Sequence, residues 1–251
     1  MLALALKLTL APALVAIATR VAGRLGHRAG GLVGGLPVVA GPILLIYAVE
    51  QGQAFADEAA AGAVLGIVSL VGFCLAYALA ARRHSTAVAL AAGWAAFGAG
   101  TAAFAMVEPP LAVSTALSLT AVALGTFALH RMAPDTAGVE SGPDLLAWRL
   151  VVTATLVIAL TAAAGSLSAH LAGLLAPFPI ITAVLAGFTQ AHTGPGQAIE
   201  LLSGLSTALV CFTAFFALLA ALMNPVGVAW AFAVATAGAL GCWGVLVAAY
   251  D

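Results

Sequence analysis

The feature of this sequence that most restricts its fold is an internal repeat at a fixed offset of 142 positions, as from Gly31 to Gly173. The repeat has no gap and includes residue types that are rare in the chain. Its matched pairs include Leu14/Leu156, Thr19/Thr161, Gly23/Gly165, Pro37/Pro179, Gly52/Gly194, Glu58/Glu200, Gly62/Gly204 and Phe73/Phe215, with Lys7 set against Arg149. Chance matching of Ala- and Leu-rich segments is the alternative, but the proline and glutamate pairs favour a duplication. We therefore predict repeats at residues 1–107 and 143–251, separated by residues 108–142.

The repeats belong to a chain that is too apolar for a soluble domain. Hydrophobic residues make up 64% of the sequence and charged residues 7%, whereas roughly a quarter of a soluble domain is charged. The apolar runs are long and continuous, which predicts α-helices, because a helix pairs its backbone polar groups within the segment. At about 20 residues per span, the chain has room for about nine helices. The lipid bilayer is thus its predicted environment.

Several functional classes find no support in the sequence. The three cysteines, Cys74, Cys211 and Cys242, lie in apolar runs without the spacing of a metal site or a disulfide framework. The net charge of −1 provides no surface for nucleic acid. The chain lacks the motifs of nucleotide-binding proteins, serine hydrolases and zinc proteases. We therefore predict no enzyme activity, no cofactor and no metal.

Polar turns divide the chain into nine predicted spans, and positive charge predicts their orientation. The spans are about residues 2–21, 31–49, 59–81, 86–107, 111–129, 145–165, 171–189, 198–222 and 226–250. All the arginines fall on the side reached after odd-numbered spans, and only Lys7 falls on the other. Basic residues near span ends stay cytoplasmic. We therefore expect a multi-pass protein of the inner (plasma) membrane, with its N-terminus outside and its C-terminus in the cytoplasm.

The fifth span has no counterpart in the second repeat. Four helices in each repeat and one linker helix between them predict an all-α transmembrane bundle in which the second repeat is inverted. Such inverted repeats are typical of alternating-access carriers. If the linker crossed the membrane twice, or not at all, the repeats would be parallel.

Prolines at similar depths interrupt predicted spans 2 and 7. Pro37 and Pro42, with Gly41 next to them, lie in span 2, and Pro177 and Pro179 lie in span 7. An interior proline removes a helix hydrogen bond, and carriers use such breaks to direct backbone carbonyls at a substrate. A simple kink that permits close helix packing is the alternative. These five residues are our predicted substrate site, near the midplane where the two spans cross.

A few ionisable side chains near span ends complete the predicted site. Lys7 and Arg149 begin spans 1 and 6 from opposite faces, and we predict that they contact an anionic or zwitterionic substrate. Glu50, His192 and Glu200 are predicted to gate access or to couple it to protons. Ionisable groups within the membrane are functional candidates, and histidine titrates near neutral pH. Taken singly, each could equally be an interfacial anchor.

Two stretches of the chain resemble known membrane proteins. The segments from Gly30 to Gly52 and from Ala172 to Gly194 resemble a group of uncharacterised bacterial multi-pass inner-membrane proteins. The run Leu175-Ala176-Pro177-Phe178-Pro179 is also similar to part of the small GlpM-type membrane proteins. The resemblance implies a multi-pass location in the inner membrane. It implies no substrate and assigns no functional residue.

Two functions remain open at this point. The first is a secondary carrier for a small solute, driven by an ion or proton gradient because the chain has no nucleotide-binding element. The second is a non-transporting integral subunit or scaffold of a larger complex, for which Gly- and Ala-rich helix faces are equally suited. The predicted partners are the bilayer and a small-molecule solute, and either function is compatible with a homo-oligomer.

Overall fold

The computed structural model describes residues 2–35, 40–133, 146–163 and 167–248, and every regular element in these ranges is a helix. The side chains of residues 2–12, 14, 40, 146 and 156–163 lie outside this description. The helices are α1 (Leu2–Leu25), α2 (His27–Gly34), α3 (Ala40–Glu50), α4 (Gln53–Ala81), α5 (Thr86–Phe104), α6 (Leu111–Met132), α7 (Leu146–Ala163), α8 (Ala169–Leu174), α9 (Ile180–Thr193), α10 (Pro195–Val226) and α11 (Val228–Ala248).

Among the described residues, five helices are long and apolar enough to cross a bilayer: α4, α5, α6, α10 and α11. Even the shortest of them, α5, has 19 residues and is therefore about 28 Å long, close to the thickness of the hydrocarbon core. The prediction of a helical membrane protein is thus confirmed. The number of crossings and the orientation of the termini stay predictions.

Predicted spans 2 and 7 each contain two helices. In predicted span 2, α2 ends at Gly34 and α3 begins at Ala40, while residues 36–39, and with them Pro37, lie outside the described residues. In predicted span 7, α8 ends at Leu174 and α9 begins at Ile180. A short helix of 8 or 6 residues therefore precedes a longer one of 11 or 14 residues.

The centre of the bundle is formed by α4 and α10, which pack against each other, and α6 packs against both. The two central helices are antiparallel, since Gln53 at the start of α4 donates a 2.8 Å hydrogen bond to the carbonyl of Met223 near the end of α10. Phe73, Tyr77 and Phe216 are fully buried between these helices and their neighbours. Lipid is as apolar as these side chains, so their close packing stabilises the centre.

Each central helix begins directly after a glycine with positive φ. Gly52 precedes α4 with φ 93°, and Gly194 precedes α10 with φ 102°, a conformation that favours glycine. As a consequence α4 begins before residue 59, where the third span was predicted to start. Asp57 and Glu58 therefore lie within α4, whereas the predicted spans at residues 31–49 and 59–81 left them in the turn between.

The remaining helices surround this centre. On the outer side α5 packs against α4 and α11 packs against α10, while α1 packs against both α2 and α7. The predicted loop between the repeats falls largely on residues 134–145, which lie outside the described residues.

Candidate functional site

Each of the two short helices packs on the central helix of the other predicted repeat. In the first repeat α2 lies against α10, and in the second repeat α8 lies against α4. The inward face of α2 buries His27 and Leu32, and that of α8 buries His170 and Leu174. Each short helix therefore packs on a helix from outside its own predicted repeat.

Glycines bring the backbones of α2 and α10 into contact. A Cβ atom on Gly31 would collide with the backbone of Leu201, and one on Gly204 would collide with the carbonyl of Arg28. Because both helices present a glycine at the crossing, no side chain separates them. Any larger residue at these positions would force the helices apart.

The crossing of α8 and α4 has the same construction. A Cβ atom on Gly173 would collide with the carbonyl of Ala59, and one on Gly62 would lie 2.7 Å from the carbonyl oxygen of His170. The contact between Gly173 and Ala59 is related to that between Gly31 and Leu201 by the sequence offset of 142. The same offset relates Gly62 and His170 to Gly204 and Arg28.

A glutamate on each central helix binds the N-terminus of the short helix that it supports. Glu58 Oε1 accepts a 3.2 Å hydrogen bond from the backbone N–H of His170 in the first turn of α8. Glu200 accepts one from the backbone N–H of Arg28 in the first turn of α2, and the Arg28 side chain attracts it electrostatically. The first N–H groups of a helix have no partner within the helix, and the helix dipole favours negative charge there.

The surroundings of the two glutamates differ in charge. Near Glu200, His130 at the end of α6 places Nδ1 2.8 Å from the hydroxyl of Ser203 and interacts electrostatically with Arg28. Near Glu58, His170 places Nε2 3.0 Å from the carbonyl oxygen of Phe104 at the end of α5. The Glu200 end therefore combines an acid, a guanidinium and an imidazole, whereas the Glu58 end lacks the guanidinium among its described neighbours.

The turn between α8 and α9 contains Pro177 and Pro179, the two prolines of predicted span 7. Pro177 and Pro179 lack an N–H, so the carbonyls four residues earlier lose their usual helical donor. Each of those carbonyls instead accepts a bond from the residue three positions later. The bonds are Ala176 N–H to Gly173 O at 2.8 Å and Phe178 N–H to Leu175 O at 3.0 Å. Neither carbonyl is therefore the fully free acceptor that the sequence had led us to expect. Each keeps only the lone pair that its hydrogen bond does not use.

Gly41 and Pro42 lie in the first turn of α3, at a cavity between α3, α10 and α11. The cavity measures about 680 Å³ and is lined by apolar side chains such as Phe215 and Phe232. A cavity of about 330 Å³ lies between α5, α7 and α9, where Ala183 occupies the position related to Gly41 by the repeat offset. Both cavities offer apolar walls to a ligand.

Arg149 and His192 are brought together by one aromatic ring. The Arg149 guanidinium lies 5.6 Å from the centre of the Phe188 ring and donates a 3.0 Å hydrogen bond to Thr19 Oγ1. His192 stacks on the same ring with 6.2 Å between the ring centres, and it is exposed. Glu50, the last residue of α3, is also exposed. Lys7 lies in α1, and its side chain is outside the described residues.

The sequence did not indicate the polar contacts that link the central helices to their neighbours. Tyr77 Oη donates a 2.6 Å bond to Gln190 Oε1, and the Gln190 amide donates to the carbonyl of His84. The hydroxyl of Ser118 lies 3.2 Å from that of Thr213, which joins α6 to α10. A detectable signal was the helical spacing of the small residues Ser114, Ser118 and Gly125 along α6, which are buried together with Val122 and Leu129.

The fold and this site define a helical membrane protein with two short helices, each held by a glycine crossing and a carboxylate. Among the described residues, no group of three or more His, Cys, Asp or Glu side chains is placed to hold a metal ion. In comparisons with known proteins, no family model, curated protein or solved structure matches the chain.

Proposed function

We propose that the protein is a secondary carrier for a small solute, built from two inverted four-helix repeats joined by α6. The observation that carries this proposal is the pair of reciprocal contacts, Glu58 with the His170 N–H and Glu200 with the Arg28 N–H. Each contact joins a short helix to the other repeat. The antiparallel central helices support the inversion, because parallel repeats would place α4 and α10 in the same direction.

The two contacts lie at opposite ends of the bundle. Glu58 is near the start of α4, and Glu200 is near the start of α10, which runs in the opposite direction. A carrier must close one side of its site while it opens the other. In this proposal Glu200 and Glu58 are the two gates, and the turns that follow α2 and α8 contribute backbone carbonyls to the substrate.

A charge-assisted hydrogen bond contributes about 1.5–3 kcal/mol, and solvent screening places the exposed Glu58 at or below the lower end of that range. Since every ~1.4 kcal/mol changes an equilibrium tenfold, loss of one such bond is enough to redistribute two conformations. Loss of Glu200 then favours opening at the end near Arg28, and loss of Glu58 favours opening at the other end. The predicted roles of Lys7, Arg149, Glu50 and His192 in binding and coupling remain part of the proposal.

The orientation is tested with single cysteines in a variant whose native cysteines are replaced by alanine. Gln51 precedes α4 and Ala191 lies near the end of α9, and both are exposed. In intact cells and in inverted vesicles, Gln51→Cys and Ala191→Cys should react with an impermeant thiol reagent from opposite sides. Reaction from the same side would end the inverted arrangement.

The gating is tested with matched variants of the same background. Val33→Cys on α2 and Leu175→Cys after α8 are reporters related by the repeat offset, and both side chains are partly buried. Glu200→Gln should increase labelling of Val33→Cys from the side of Arg28, and Glu58→Gln should increase labelling of Leu175→Cys from the other side. Equal labelling in all variants would contradict alternating access and leave a static bundle.

One observation favours the alternative of a non-transporting subunit. The outer face of α5 carries a stripe of exposed small residues at helical spacing. They are Ala87, Ala91, Ala95, Gly98 and Ala102. Such faces allow another transmembrane helix to approach closely. If Ala91→Leu and Ala95→Leu dissociate a native complex on a non-denaturing gel while the gate variants label alike, the subunit role is the better description.

A further inference from the structure

The turn between α4 and α5 joins a basic cluster to an apolar groove. Arg82, Arg83 and His84 follow the last residue of α4, and α5 begins at Thr86. From this turn a groove of about 730 Å³ extends between the two helices along Ala76, Leu79, Val88 and Ala92. Both helices are candidate membrane spans. The basic side chains therefore lie at the membrane surface, and the groove enters the hydrocarbon region.

The arginines of this cluster are available to a ligand. Arg82 and Arg83 are exposed, and within the described part of the chain their guanidinium groups make no hydrogen bond or ion pair. Below them, Leu79 is 59% exposed and Val88 is 47% exposed. The groove thus presents apolar walls directly beneath unpaired positive charge.

The equivalent turn of the second repeat has no such charge. The positions 142 residues after Arg82, Arg83 and His84 are Asn224, Pro225 and Val226. Asn224 is already bound, because it donates a 2.7 Å hydrogen bond to Asp57 Oδ2. The basic groove is therefore a property of one repeat only, and it is not required to make a turn of this kind.

We propose that this groove is a binding site for an acidic phospholipid of the adjacent leaflet. Arg82 and Arg83 bind the phosphate, for which the fork of the guanidinium is well suited. One acyl chain lies between Leu79 and Val88, along the seam of α4 and α5. The negative phosphate matches the basic end of the groove, and the apolar acyl chain matches its apolar walls. This proposal is independent of whether the protein is a carrier.

Native mass spectrometry of the detergent-purified protein measures the binding directly. Phosphatidylglycerol should bind to the unaltered protein, and phosphatidylcholine with the same acyl chains should bind at least tenfold more weakly. Each basic residue near an anionic lipid contributes about a fivefold gain, so Arg82→Gln/Arg83→Gln should weaken binding roughly thirtyfold. The control Arg20→Gln/Arg24→Gln removes two exposed charges of α1 and should change binding less than twofold.

The acyl-chain part of the proposal has its own variant. Ala92→Phe fills the groove and should weaken phosphatidylglycerol binding, while Ala99→Phe, on an exposed position of α5 outside the groove, should not. Thermal unfolding of each variant shows that it is folded. If the two double-arginine variants lost the same amount of phosphatidylglycerol binding, general surface charge would explain the binding. Displacement of the lipid by millimolar inorganic phosphate would indicate an anion site without a chain site, and either result overturns the proposal.

Discussion

The Glu58 carboxylate accepts a hydrogen bond from the backbone N–H of His170, 112 residues further along the chain. The bond joins the second turn of α4 to the first turn of α8, and it lies beside the crossing where Gly62 and Gly173 bring the two backbones together. At the opposite end Glu200 and Arg28 make the related contact. Packing between segments so distant in the chain leads to specific expectations for single substitutions.

The glycines at the helix crossings should be intolerant of alanine. Gly173→Ala and Gly31→Ala place a methyl group against a backbone carbonyl that cannot move away like a side chain. Overpacking of this kind costs about 1–3 kcal/mol or more, so both variants should unfold at clearly lower temperature in detergent. Gly72→Ala is the matched control, since a Cβ there meets nothing within 4 Å. It should be neutral or slightly stabilising, because alanine favours the helix.

Removal of the Tyr77 hydroxyl should destabilise the end of the bundle near Gln190. Tyr77→Phe leaves Gln190 Oε1 without its 2.6 Å donor, and a buried acceptor without a partner costs about 1–3 kcal/mol. The unfolding free energy in a denaturing detergent series measures the loss. In a double-mutant cycle with Gln190→Leu, the double variant should lose less than the sum of the single variants. Additive losses would show that the two side chains act independently.

The hydroxyl pair between α6 and α10 should contribute only modestly. Ser118 and Thr213 are 3.2 Å apart, and Thr213 also bonds the carbonyl of Leu209 in its own helix. Interhelical bonds of this kind average about 0.6 kcal/mol in membrane proteins. A cycle of Ser118→Ala and Thr213→Val should therefore give a coupling energy below ~1.5 kcal/mol. A larger value would assign the pair a role beyond helix association.

The two repeats should depend on each other when they are produced as separate chains. A break within residues 134–145 leaves α1–α6 in one fragment and α7–α11 in the other. Each fragment then lacks the central helix on which its own short helix packs. Co-expression should give a complex that co-purifies, while either fragment alone should be degraded or aggregate. Stable accumulation of a single fragment would show that a repeat folds without its partner.

Some features of the fold could be predicted from the sequence because they depend on local chemistry. Long apolar runs specify membrane helices, and Pro177 and Pro179 predict the break between α8 and α9. The repeat offset also predicts which residues have equivalent positions, as with Glu58 and Glu200. These inferences require only composition, hydrogen-bond capacity and periodicity.

The partners of those residues could not be predicted, because they depend on packing between distant segments. Nothing in the sequence around Glu58 indicates that it reaches α8, and the sequence alone placed it in a turn instead of in α4. His130 falls just after predicted span 5, at residues 111–129, yet it lies within α6, close to Ser203 and Arg28. The carbonyls freed by Pro177 and Pro179 were expected to be open, but nearby N–H groups bind them.

Because α2 packs on α10, an early part of the chain depends for its packing on a helix that is synthesised much later. Arg28 is synthesised early, and Glu200 follows 172 positions later. At a synthesis rate of about 5–20 residues per second, α2 waits roughly 10–35 s for the helix that completes it. During that interval α1 can already pack on the side of α2 that carries Gly30, but the side that carries Gly31 still lacks α10. The last long helices are therefore needed to complete the packing of α2, and we expect assembly to be slow because these contacts join distant segments.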